Sequence, residues 1–150
     1  MKPIKSLIQT YPYRTVALIQ SLIATVGSLF LSQVWLLVPC ELCWFQRIFM
    51  YPLPFILGIG LIRRETKLYQ YVLPLSLIGL TIAAYHTYLY YYANYSLNGA
   101  NETVMIACSG GVSCTNQLIE WFGFITVPLL SFLAFSVITL AMLKERHDSI

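Results

Sequence analysis

The chain has 150 residues, 58 % of them hydrophobic and 10 % charged, and a net charge of +3. Its mean hydropathy is +0.70, whereas a soluble domain carries about 25 % charged residues. A water-solvated core of this length could not hide so much apolar surface, so lipid is the expected solvent. The charge is too small and too dispersed for a nucleic-acid partner, and with no repeat or low-complexity tract a single domain, residues 1–150, is expected.

A bilayer core of about 30 Å needs roughly 20 helical residues, and four stretches qualify. The first, residues 15–38, carries no charge and is too long for the apolar core of a signal peptide, so it is read as retained. The second, residues 43–62, carries only Arg47 near its start. The third, residues 69–92, is uncharged but for the titratable His86. The fourth covers residues 121–143. Pro52, Pro54, Pro74 and Pro128 fall at or in these spans and are read as kinks, which membrane helices tolerate. The expected fold is an all-α membrane protein, a four-transmembrane-helix bundle.

The basic residues orient it. Lys2, Lys5 and Arg14 precede the first span, Arg63, Arg64 and Lys67 separate the second and third, and Lys144 and Arg146 follow the fourth. With four spans these all fall on one face, leaving Arg47 near the other, so both termini are expected to be cytoplasmic. Trp35, Trp44 and Trp121 then mark the outer boundary, where indole rings prefer to sit.

That topology puts all four cysteines on the non-cytoplasmic side. Cys40 and Cys43 open the second span in "VPCELCWFQRIFMYP". Cys108 and Cys114 lie in the one long outer loop, residues 93–120. An even number of thiols confined to the oxidising face points to disulfide chemistry. Structural bridges and a zinc site compete with a redox role. A bridge across C-x-x-C closes too small a loop to be a useful staple, and the C-x5-C spacing of the second pair is too loose for a second zinc knuckle, so no metal is assigned. Pro39 suits a helix start, which places Cys40 and Cys43 in a first turn whose amides and dipole favour a thiolate. Arg47, one turn beyond Cys43 on the same face, would stabilise that thiolate or hold an anionic oxygen. His86 is an ionisable residue within a span, which marks a functional candidate. It can share a pocket with Arg47 if the second and third helices are neighbours. Two dithiol pairs on one face can pass electrons by thiol–disulfide exchange. A pair held at the lipid boundary suits a lipid-soluble carrier such as a quinone, whose developing oxyanion needs a cation.

"PCELCWFQRIFMYPL", "YHTYL" around His86 and "WFGFITVPL" resemble the disulfide bond formation protein B (DsbB) family over nearly the whole chain. The resemblance implies an enzyme of the bacterial cell membrane, a quinone-dependent protein-disulfide oxidoreductase. It reoxidises an extracytoplasmic thioredoxin-fold thiol oxidase (DsbA/BdbD-like) and passes the electrons to ubiquinone or menaquinone, sustaining disulfide formation in exported proteins. By the same resemblance Cys40 and Cys43 are the quinone-coupled pair, with Cys43 meeting the quinone. Cys108 and Cys114 are the pair facing the partner, with Cys108 attacked first, and Arg47 and His86 line the quinone site. Only "SGGVS" separates Cys108 from Cys114, which is similar to the shorter, BdbC-like branch of the family rather than the proteobacterial form. "NYS" and "NET" match the N-glycosylation pattern and are read as accidental. The alternatives are a non-catalytic membrane protein with structural disulfides or a metal site, and a vitamin K epoxide reductase-like quinone enzyme, whose C-x-x-C is expected on a late helix.

Overall fold

The computed structural model describes residues 11–36, 39–96 and 126–148. They form helices and no strand: α1 (Pro12–Gln33), α2 (Glu41–Met50), α3 (Pro52–Arg63), α4 (Tyr69–Ser96) and α5 (Val127–Asp148). Cys108, Cys114 and Trp121 lie outside the described residues.

Local sequence sets the boundaries. α1 begins with Pro12, whose ring fixes φ and whose missing N–H is not needed in a first turn. It ends at Gln33, short of the residue 38 expected, and the chain turns away through Leu36 at φ 54°. α2 and α3 are one span, Glu41–Arg63, interrupted at Tyr51. Pro52 and Pro54 both lack the N–H that would bond back across the break, so the kink falls where the prolines do. α3 stops at Arg64, a left-handed residue at φ 53°, and the Glu65 amide donates to the Gly60 carbonyl at 3.0 Å, closing the last turn. A turn then leads directly into α4, whose 28 residues span about 42 Å at 1.5 Å each, more than the hydrocarbon core needs. Pro74 sits near its start and does not end it. α5 opens later and closes later than the expected 121–143 segment, with Pro128 in its first turn.

Among the described residues four helices are therefore long and apolar enough to cross a membrane, α2 and α3 counting as one. α4 packs most extensively on α5, α5 also packs on α1, α2 packs on α4, and α3 on α1. Between them lies a core in which Leu53, Leu57, Val72, Phe135, Ile138 and Met142 are fully buried. Facing outward are large apolar side chains such as Ile23, Phe55, Ile62 and Leu140, the last 65 % exposed, as expected of helices solvated by lipid rather than water. One end of the bundle is closed by Arg14, which pairs with Glu145 and reaches the Thr66 carbonyl, so the start of α1, the α3–α4 turn and the end of α5 meet there. The thiols lie at the opposite end.

Candidate functional site

Cys40 is the N-cap of α2, its backbone extended at φ −70° and ψ 169°. Its carbonyl accepts the Trp44 amide at 3.1 Å, which starts the helix. Cys43 follows in the first turn, so both sulfurs turn to the same side, 3.0 Å apart and sharing a hydrogen bond, and both are free. Cys40 is buried and Cys43 half-buried.

His86 comes in from α4, about 26 Å along that helix from Tyr69 at 1.5 Å per residue, and is 1 % exposed. Its Nε2 lies 3.8 Å from Cys40 Sγ, and its Nδ1 lies 3.1 Å from Gln46 Nε2. With the Gln46 amide donating to Nδ1, the ring proton sits on Nε2 and points at the Cys40 sulfur. The Cys40 thiol is accordingly held far below its ordinary value of 9.0, at about 4. The largest cause is the hydrogen bond from Cys43. Burial works against it, and His86 adds a second hydrogen bond. The sequence favoured an anion on Cys43, one turn above Arg47. The structure favours Cys40, because the shared proton and the imidazole both serve that sulfur.

Arg47 reaches away from the thiols toward α1. Its Nη2 donates to the Ser28 carbonyl at 3.3 Å, and its guanidinium lies 5.8 Å from the Trp44 ring centre. Among the described residues no carboxylate pairs with it. The charge thus faces a cavity of about 340 Å³ that Cys40, Cys43, Gln46, Arg47 and His86 all line. The cavity is mostly apolar and runs beside α1 from Gln20 to Leu31, about 16 Å of helix. Its far wall is the first part of α5. There Thr126 is 2 % exposed, and its Oγ1 is buried without a hydrogen-bond partner among the described residues.

The structure therefore brings Cys40, Cys43, Arg47 and His86 to one wall, while Cys108 and Cys114 fall outside the described residues. Sequence reasoning missed Gln46 and Thr126. Gln46 carried a signal, being a lone amide among apolar side chains in a membrane span, where a polar group needs a partner.

Comparison with known proteins agrees with this architecture. Residues 12–144 match the family model described as disulfide bond formation protein DsbB. The chain is 43 % identical over 122 residues to disulfide bond formation protein C of Bacillus subtilis, covering 81 % of this chain and 83 % of that one. It is 43 % identical over 129 residues to the probable disulfide formation protein C of Halalkalibacterium halodurans, covering 84 % and 89 %. It is also 43 % identical over 118 residues to the probable disulfide formation protein C 1 of Bacillus anthracis, covering 79 % and 80 %. No solved structure matches the chain significantly. With its four apolar helices and a C-x-x-C at the mouth of the second span, this multi-pass membrane protein belongs to the DsbB family of disulfide bond formation proteins.

Proposed function

We propose that the protein is a quinone-dependent protein-disulfide oxidoreductase of the bacterial plasma membrane, with its cysteine pairs on the extracytoplasmic face. Its work is to reoxidise a thioredoxin-fold thiol oxidase that introduces disulfides into exported proteins. The observation that carries this reading is the convergence of the Cys40–Cys43 pair, His86 and Arg47 on one apolar cavity within the span-forming helices. The cavity fits the head of a quinone: its volume is within the ordinary range for small-molecule sites, its walls are apolar, and donors stand at the thiol end. A quinone bound there supplies a two-electron, two-proton acceptor.

The chain's own residues do the rest. Closure of the disulfide from the Cys40 thiolate and the Cys43 thiol breaks one S–H bond, forms one S–S bond and releases two electrons and one proton, the second proton of the quinol being drawn from solvent. Cys40 is the sulfur of the oxidised pair that the Cys114 thiolate attacks, with Cys43 as the leaving sulfur, and once the pair is reduced its neighbours hold Cys40 as thiolate. His86 Nε2 holds a proton beside that sulfur. Arg47 supplies a fixed positive charge where negative charge would develop on a bound oxygen. Cys108 and Cys114 form the pair that exchanges with the partner oxidase, Cys108 first, and Cys114 then passes its electrons to Cys40.

The test is anaerobic. A soluble quinone is added to the purified, dithiol-reduced protein and its absorbance followed, wild type beside Cys43→Ala, Cys40→Ala and Arg47→Ala. Wild type reduces it, both cysteine variants do not, and Arg47→Ala shows a raised KM for quinone with the helical content unchanged. Failure of the wild type to reduce quinone would refute the proposal, and an unchanged KM in Arg47→Ala would remove that residue's role.

A further inference from the structure

We propose that the reduced Cys40–Cys43 pair and His86 form a binding site for a soft, redox-inert divalent cation, zinc or cadmium, which holds the dithiol out of its redox cycle. The inference rests on the donor geometry alone and is independent of the quinone.

Cys40 Sγ, Cys43 Sγ and an imidazole nitrogen of His86 all lie within 4.8 Å of one another. The sulfurs are 3.0 Å apart, and Cys40 Sγ is 3.8 Å from Nε2. Zinc binds thiolate at about 2.3 Å and imidazole at about 2.0 Å in a tetrahedron. Donors around such an ion stand roughly 3.6–3.8 Å from one another. The sulfurs open by under about 1 Å, Cys40 already stands at the right distance from the ring, and Cys43, within 4.8 Å of the ring nitrogen, closes on it by no more than about 1 Å. Two thiolates and one imidazole are a donor set that favours these ions over magnesium or calcium, and two thiolate charges neutralise the cation despite Arg47 on the same wall.

The surroundings suit a metal as well. A ligating histidine usually has its other nitrogen held by an outer partner, and Gln46 is already there at 3.1 Å. When Nε2 takes the metal, the ring proton moves to Nδ1, and Gln46 accepts it by turning its amide so that Oε1 faces the ring. All three donors line the cavity, so a fourth coordination position opens into it. Binding expels the thiol protons that remain and moves no electrons. A Cys40–Cys43 disulfide offers no thiolate, so metal and oxidation exclude each other.

The full chain carrying Cys108→Ser and Cys114→Ser is purified in detergent, reduced, freed of reductant and titrated anaerobically with cadmium. The expected result is one cadmium per protein with a thiolate-to-metal absorption band, displaced by zinc. Oxidised protein does not bind. His86→Ala weakens binding at least about tenfold, and Gln46→Leu weakens it by about 10-fold as loss of an outer-shell partner does. X-ray absorption on the zinc-loaded reduced chain gives two sulfurs and one imidazole nitrogen. That measurement decides the matter even if His86→Ala fails to fold. No stoichiometric binding, equal binding by the oxidised form, or a zinc shell without imidazole would overturn the proposal.

Discussion

His86 has two ring nitrogens and a partner for each, and the chemistry of Cys40 depends on both. A proton on Nε2 favours the thiolate at 3.8 Å, and Gln46 fixes that tautomer. In reduced protein bearing Cys108→Ser and Cys114→Ser, the ultraviolet absorbance of thiolate should persist through neutral pH and fade only near about 4. His86→Ala removes a group that stabilises the anion, so the midpoint must move upward, toward 9.0. An unmoved midpoint would mean that Cys43 alone sets it. Gln46→Leu fills the same space but leaves Nδ1 buried without a donor. It should lower stability by about 1–3 kcal/mol, read by denaturant titration of the purified protein. Histidine as a candidate was legible in "YHTYL", since an ionisable group in a span stands out. Its pairing with Cys40 was not, because no sequence spacing relates residues 40 and 86 on different helices.

At the scale of elements, the helices meet through small residues, as membrane helices do where apolar side chains alone give no drive to associate. Gly79 on α4 faces the ring of Phe135 on α5, so a methyl group there would collide with a side chain that is fully buried and has no room to move. Gly79→Ala should cost about 1–3 kcal/mol by overpacking. Gly58 on α3 has open space around it, and Gly58→Ala should gain up to about 1 kcal/mol from helix propensity. Melting both variants in detergent checks the contrast, and equal shifts would refute the α4–α5 packing. The break at Pro52 and Pro54 was legible because proline removes an N–H whatever its neighbours do, whereas Pro74 lies within α4 without ending it and Pro128 sits in the first turn of α5, where no N–H is needed. Helix ends were less so: α1 stops five residues before the expected boundary although the sequence stays apolar, because hydropathy does not mark where the backbone turns.

For the whole molecule, the Arg14–Glu145 pair ties the first helix to the last at the end opposite the thiols. Its side chains are only 4 % and 11 % exposed, and Arg14 Nη1 and Glu145 Oε2 are buried without further partners among the described residues. Removing one charge strands the other, so Glu145→Ala should cost about 3–5 kcal/mol. The double change Arg14→Met with Glu145→Leu should recover most of that loss, because apolar replacement of a buried pair is often neutral. Denaturation midpoints of the two variants make the test, and a double variant no better than the single would refute it. Quinone reduction per folded molecule should be unchanged in both, since neither residue reaches the cavity. Arg14 was read from the sequence only as a topological marker, and nothing there pairs it with a residue 131 positions away.

Apolar solvent, four spans and the placing of Cys40 and Cys43 at the start of the second were all legible without the fold. Those follow from summed hydropathy and helix length, which are properties of segments and need no knowledge of neighbours. The sequence also marked Cys40, Cys43, Arg47 and His86, because thiols and charges are conspicuous in an apolar chain. Which of them touch is settled by packing between helices. A helix that is apolar nearly all round does not announce which face turns inward. The rotation of α2 and α4 about their axes is set by packing, and that rotation puts His86 beside Cys40, sends Arg47 to Ser28, and opens between α1 and α5 a cavity that no single segment contains.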